Sequence, residues 1–240
     1  MALTRPRHWL RWLIGAVVVL AVLAAAGPFI YIHFFNGSTP SALTLSPLAS
    51  PSSASSTASA NTAVSGSVAG IWTAGSGSVV GYRVNEVLLG QNATAVGRTS
   101  SVTGHLIIQG TTVTAASFSV PMDTIHSDKS QRDAQFDGRI MDVAQYPTGT
   151  FALTSPIDLA PLPAPGVIKS YTAHGKLTLH GTTRAVTVTL TAERTGSQIK
   201  VAGDIPVLFS DYNIQNPSFA GFVTTQDHGL LEFLLVFRKA

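Results

Sequence analysis

Residues 171–193 constrain the fold of this chain more than any other stretch. Tyr171, Ala173, Gly175, Leu177 and Leu179 put small or apolar side chains at odd positions. Thr172, His174, Lys176, Thr178 and His180 put polar ones at even positions. After Gly181-Thr182-Thr183-Arg184 the parity inverts, and Val186, Val188, Leu190 and Ala192 become the apolar set. A period of two is the mark of a strand with one buried face. Residues that face each other across a hairpin share a face. Joining an odd set to an even set therefore needs a loop with an even number of residues, and 181–184, or Thr182-Thr183 alone, satisfies this. Leu177, Leu179, Val186, Val188 and Leu190 are expected to point inward. His174, Lys176 and His180 are expected to face water.

The same grammar extends over residues 70–240, roughly 170 residues and enough for a substantial core. Residues 78–84 alternate weakly, and 103–108 run up to Gln109-Gly110. In 112–122, Ala116, Phe118, Val120 and Met122 share a parity. Phe151 and Leu153 share one in 150–153, and Ile199, Val201, Ile205, Val207 and Phe209 in 198–209. Residues 229–238 differ. Leu231, Phe233, Leu235 and Phe237 form one apolar face, and Leu230, Leu234 and Val236 form another. A strand apolar on both faces is covered on both, which predicts a helix packed outside the sheet there. One helix is expected in this region. Asp128-Lys129-Ser130-Gln131 reads as a capping box. Phe136, Ile140, Met141 and Val143 give the helix an apolar side, and Pro147 bars its continuation. These elements predict an all-β fold: a closed antiparallel barrel of about eight strands with one short α-helix against it. Its interior candidates are Phe118, Val120, Phe151, Leu153, Leu177, Leu179, Val186, Val188, Leu190, Phe209, Phe233 and Phe237. They either line a ligand tunnel or fill a small barrel, since eight strands permit both.

Residues before 70 belong to a different regime. An apolar run over 12–35 carries no charge and is long enough to cross a bilayer core of roughly 30 Å as a helix. Arg5, Arg7 and Arg11 precede it and no acid does, which orients residues 1–11 to the cytoplasm and the remainder outside it. Ala24-Ala25-Ala26 offers small residues for signal cleavage, but the apolar run continues through Phe35, past the roughly 7–15 residues of a signal core. An uncleaved single-pass anchor is expected. Residues 36–69 are Ser-, Thr-, Ala-, Pro- and Gly-rich without charge, the composition of a flexible tether. The net charge of +3 comes from the three leading arginines, because 12 basic and 12 acidic residues follow them. The exported part is formally neutral, which gives no footprint for nucleic acid.

Motifs for chemistry are sparse. His174 and His180 lie on one strand face about 20 Å apart, too far to share a metal ion. The chain holds no cysteine. Gly75-Ser76-Gly77-Ser78 lacks the spacing of a nucleophile elbow. Arg132 and Asp133 suit either a phosphate-bearing head group at the barrel mouth or an ion pair that fixes the helix to the rim, the reading favoured here. Residues 210–221 form a loop that either gates the mouth or merely crosses the surface.

In order along the chain stand Trp72; Ser78-Val79-Val80-Gly81-Tyr82-Arg83-Val84; Val102-Thr103-Gly104; Arg132-Asp133; Met141-Asp142-Val143 with Tyr146-Pro147; Phe151; Gly175-Lys176-Leu177-Thr178-Leu179-His180-Gly181-Thr182-Thr183; and Phe209-Ser210-Asp211-Tyr212. In this order and spacing, residues 71–240 resemble the YceI-like family, the lipocalin-like polyisoprenoid-binding domain. The resemblance implies an eight-stranded barrel with a helix after the Arg-Asp motif. It also implies an extended apolar lumen that holds a long isoprenoid or similar lipid, in exported proteins mostly without known catalysis. Gln135 and Phe136 stand where the family commonly has His and Leu, and Ile140-Met141 where it has paired Phe. The expectation is a membrane-tethered extracytoplasmic lipid-binding protein, with no enzyme activity, cofactor, metal or nucleic acid. Its partners would be an isoprenoid or other long-chain lipid, the cell membrane through the N-terminal helix, and a second copy as a homodimer. The rivals are a stress or interaction module with a filled barrel and, less favoured, a lipid-modifying enzyme.

Overall fold

The computed structural model of the chain describes residues 12–17, 19–20, 39–45, 67–88, 90–218, 221 and 223–240. Its elements are β1 (Gly70–Ala74), β2 (Val79–Leu88), β3 (Gln91–Thr99), β4 (Thr103–Gln109), β5 (Thr112–Pro121), α1 (Ser130–Gln135), β6 (Thr148–Leu153), β7 (Ile157–Asp158), β8 (Lys169–Leu179), β9 (Thr182–Thr195), β10 (Gln198–Leu208), β11 (Val223–Thr225) and β12 (His228–Lys239). Eight strands close a ring in the order β1-β4-β5-β6-β8-β9-β10-β12, and β12 returns to β1 through Trp72 opposite Lys239 and Ala74 opposite Phe237. Every pairing in the ring is antiparallel. Closure removes the unpaired edges that an open sheet would leave.

The wall is not uniform. The far edge of β12 is shared, by β1 at Phe237–Lys239 and by β2 at Leu230–Leu234. The β2–β3 hairpin therefore stands beside β1 and β4 as a second panel, and β11 continues the β12 side of β2. Across from that panel, β3 meets the segment after β5 through one bridge. Arg98 N–H donates to the His126 carbonyl at 2.8 Å, and His126 N–H to the Arg98 carbonyl at 3.1 Å. Past that bridge the chain runs into α1 and then a π-helical turn, Phe136–Ile140. Phe136 and Met141 are buried in the same cluster as Leu177, Leu179 and Tyr212, so this helical unit caps the end of the barrel where β8 turns into β9.

The β8–β9 hairpin keeps the expected parity but turns two residues earlier. Leu179 pairs with Thr182, which leaves His180 and Gly181 as the loop. Both take positive φ, 46° and 70°. A two-residue hairpin turn of this kind needs a left-handed backbone at both positions, which glycine adopts freely and β-branched threonine resists. His180 therefore does not face water. It is half-buried, its ring stands edge-on to Tyr146 with centroids 4.5 Å apart, and its Nδ1 lies 3.2 Å from the Tyr212 carbonyl. His174 and Lys176 are exposed.

Three further expectations are corrected. The capping box does not form. Lys129 occupies the N-cap without a side-chain bond, because Asp128 is drawn to Arg132 and the donors of Ser127 go to Asp133 Oδ1 at 2.6 and 2.8 Å. Phe209 leaves the strand and opens a 3-10 turn, Phe209–Tyr212. The outer side of β12 is covered not by a helix but by charge and extended chain. Glu232 faces outward yet is only 4% exposed. Arg83 and Arg98 close over it, and residues 39–45 lie against both arginines. The anchor expected over 12–35 lies mostly outside the described residues. Residues 12–17 and 19–20 are helical with their apolar side chains exposed, and among the described residues no helix is long and apolar enough to cross a membrane. Of the tether expected over 36–69, the described parts are 39–45 and 67–69.

Candidate ligand-binding lumen

Two apolar clusters occupy the interior. One gathers Met122, Ile125, Phe136, Leu177, Leu179, Ile205, Phe209 and Tyr212 at the helix end. The other gathers Trp72, Leu106, Ile108, Val113, Leu235 and Phe237 at the opposite end. Residues of both line a single cavity of about 330 Å³ between them. That volume lies at the lower end of the roughly 300–1,000 Å³ typical of small-molecule sites.

Eleven of the twelve expected interior residues line it: Phe118, Val120, Phe151, Leu153, Leu177, Leu179, Val188, Leu190, Phe209, Phe233 and Phe237. Val186 does not. It lies opposite Gly175, the position over which the Phe151 ring folds, and packs against the helix-end cluster instead. The structure adds Tyr82, Val84, Leu106, Ile108, Met122, Ile125, Phe136, Ile205, Val207, Leu231 and Leu235 to the lining. Ile205, Val207, Leu231 and Leu235 share the parity of residues already singled out, and that was the signal for them. Val113 lines the cavity although Ala115 separates it in parity from Ala116, because Thr114 is an extra residue. Ile107 pairs with Ala115 and Ile108 with Val113, a bulge that resets the inward face.

The lumen stays hollow despite its aromatic lining because the rings lie down over glycines on neighbouring strands. A Cβ added to Gly97 would collide with the Tyr82 ring, one on Gly104 with Phe118, one on Gly175 with Phe151 and one on Gly203 with Phe233. Each glycine sits on an inward-facing position of the strand beside its ring. Phe118 and Phe151 then stack at 6.3 Å, and Phe118 meets Phe237 at 5.7 Å. Flat rings thicken the wall rather than cross the space.

Polar atoms reach the cavity near its two ends. At the helix end Glu86 and Arg132 line it and pair at 3.4 Å, while Arg132 also binds Asp128. Arg132 thus ties α1 to β2, as the ion-pair reading expected, and its guanidinium still borders the lumen. Asp133 turns away to Ser127 and His126. Tyr82 stacks on Phe136 at 5.0 Å beside this group. Burial pushes its hydroxyl up to about 12; Asp133, Glu86 and Asp128 add to the shift and Arg132 opposes it. Thr225 also lines this end, and among the described residues its buried hydroxyl has no hydrogen-bond partner. At the other end the polar lining is Glu193 and Arg194. Ile214 and Pro217 border the cavity, so the segment 214–217 forms part of its margin, and Arg139 Nη2 donates to the Pro217 carbonyl at 3.1 Å. Among the described residues no set of His, Asp or Glu is placed to hold a metal ion.

Comparison with known proteins agrees with this architecture. A polyisoprenoid binding domain from Saccharophagus degradans implicated in plant cell wall breakdown superposes with a TM-score of 0.60 at 15% identity, covering 72% of this chain and 99% of its own. BcnA of Burkholderia cenocepacia superposes at 0.51 with 22% identity, covering 65% of this chain and 95% of its own. At these identities the likeness is one of fold. A comparison with curated proteins found no match. The pattern of the YceI-like domain matches residues 72–237, which span the ring from Trp72 in β1 to Phe237 in β12, and the chain belongs to the YceI-like family.

Proposed function

We propose that this protein is a membrane-anchored, extracytoplasmic binding protein that sequesters or carries a long apolar lipid, an isoprenoid in the first place, inside the barrel. The observation that carries this reading is the apolar cavity of about 330 Å³ enclosed by the ring. A lipid chain moved from water into it gains about 0.8 kcal/mol per buried CH₂. The hollow interior speaks against an interaction module with a filled barrel. The Saccharophagus degradans protein of the same fold is described as polyisoprenoid binding, which supports the same ligand class here. Binding is favoured over catalysis by the lining. Its titratable side chains are Tyr82, Glu86, Arg132, Tyr171, Glu193 and Arg194, and no described histidine, serine or lysine reaches it to pair as nucleophile and base. The anchor reading rests on the apolar run over 12–35 behind three arginines.

Native mass spectrometry of the full chain released from detergent tests the reading. The expected spectrum carries an added mass that solvent extraction recovers as lipid. A bare polypeptide mass with nothing extractable would refute it.

A further inference from the structure

The outer face of the β3–β2–β12 panel carries a charged cluster that lipid binding does not use. Arg98, Gly81 and Glu232 stand in one row across the three strands. A Cβ on Gly81 would meet the Gly97 carbonyl oxygen and crowd Arg98 Cγ at 3.0 Å, so glycine is what lets Arg98 lie across β2 towards Glu232. Arg83 Nε donates to Glu232 Oε1 at 2.7 Å and its Nη2 to Oε2 at 3.3 Å. Arg98 Nη2 donates to Oε2 at 3.3 Å. Two guanidinium groups on one carboxylate leave donors to spare. Two of those donors reach the chain's own N-terminal side: Arg83 Nη2 donates to the Pro40 carbonyl at 2.7 Å, and Arg98 Nη2 to the Ser41 carbonyl. Two residues on, Leu43 and Leu45 are half-buried. Charge-assisted bonds to backbone carbonyls are among the stronger neutral-partner contacts.

We infer that residues 39–45 are a strap, held by the Arg83–Glu232–Arg98 cluster, that moors the barrel beside the membrane instead of leaving it on a long tether. The mooring rests on the anchor reading above. Phe35 ends the apolar run, and the four steps from Phe35 to Thr39 reach at most about 14 Å. A docked strap therefore holds the β3–β2–β12 panel close to the bilayer surface. Without docking, the 25 steps from Ala42 to Ser67 would set a root-mean-square span of ~25–30 Å with a broad spread.

The chain has no cysteine, so spin labels can be placed at will. Full-length protein with Ala42→Cys and Lys176→Cys, reconstituted in lipid nanodiscs, is measured by double electron–electron resonance. The strap predicts one narrow distance, which broadens to tens of ångströms on Arg83→Ala/Arg98→Ala. Because that variant leaves Glu232 buried without partners and can unfold the panel, a second replaces residues 39–41, 43–45 by Gly and Ser and leaves the barrel wall intact. It too should broaden the distance, because it removes the half-buried Leu43 and Leu45 and frees the backbone that presents the Pro40 and Ser41 carbonyls. A broad distribution in the otherwise unchanged chain, or a narrow one in both variants, overturns the strap. Failure of the full chain to float with lipid vesicles would instead overturn the anchor reading and the mooring, and a narrow distance in that case would still uphold the strap.

Discussion

Replacing Gly203 by alanine tests how the lumen is kept open. A Cβ built there lies 2.8 Å from Phe233 Cζ, 3.1 Å from the Thr189 carbonyl oxygen and 3.4 Å from Leu190 Cα. Ordinary contact begins near 3.4 Å, so the ring tip must retreat by about 0.6 Å, and the β9 backbone on the other side leaves it only the lumen. Overpacking of this kind costs about 1–3 kcal/mol. Removing a strand glycine also stiffens the unfolded chain, which stabilises by about 0.4–1 kcal/mol. The net expectation for Gly203→Ala is a loss of about 1 kcal/mol. In a Phe233→Leu background the ring is gone and only the 3.1 Å approach to the Thr189 carbonyl oxygen opposes the entropic gain, so Gly203→Ala should there be close to neutral. Denaturant midpoints of the solubilised full chain measure the four corners of this cycle. Lipid load by native mass spectrometry should fall in Gly203→Ala alone, since the displaced ring occupies ligand space. Equal effects of Gly203→Ala in both backgrounds would refute the idea that the glycine makes room for the ring.

Four other substitutions probe the rest of the structure. Tyr82 holds its proton to about 12 in the fold, against about 10 when unfolded, so between those values the unfolded chain binds fewer protons and stability falls as pH rises. Over that window the loss attributable to Tyr82 is on the order of 2–3 kcal/mol, and alkaline denaturation of Tyr82→Phe should show a shallower slope; an unchanged slope would contradict the burial of the hydroxyl. Glu232→Gln leaves Arg83 and Arg98 without their shared charge in a site where the acid is 4% exposed, and should lower stability by about 3 kcal/mol in thermal or urea unfolding. Gly181→Ala forces a side chain onto a φ of 70° and into the Tyr146 ring, with an expected loss of about 1–3 kcal/mol, while the neighbouring His180→Gly, which relieves a φ of 46°, should lose less.

What the sequence revealed and what it hid follow from which physical effect wrote each feature. Alternation marks strands with one wet face, and β8, β9, β10 and most of the lumen could be read that way. β3 could not. Its residues Gln91, Asn92, Thr94, Gly97 and Arg98 interrupt any apolar period, because part of its inward face is a glycine beneath Tyr82 and part of its outer face is an arginine beneath residues 39–45. β7 and β11 span two and three residues, too short for a period to register. The capping box failed through competition: Asp128 had a better partner in Arg132 than in a backbone N–H. The strap left little sequence signature, since the bonds that hold it go to carbonyl groups that every residue carries. The apolar Leu230, Leu234 and Val236 pointed to a helix that is not there: Val236 lies by the turn at Gly77, Leu230 borders the cavity, and Arg83 and Arg98 close over Glu232 between them.

The shared edge of β12 also has a consequence for the order in which the molecule is made. Its twelve residues pair with β10 on one side and with β2 and β1 on the other, and they follow every other described strand in sequence. Before they emerge, the first and tenth strands flank an unfilled slot, and the apolar lining lies exposed along its length. Until β12 is in place no ring of strands is closed, and a register as distant in sequence as Trp72 with Lys239 is of the kind that forms slowly. Loss of Phe237, Arg238 and Lys239 would take away the clasp to β1, and with it the separation of inside from outside.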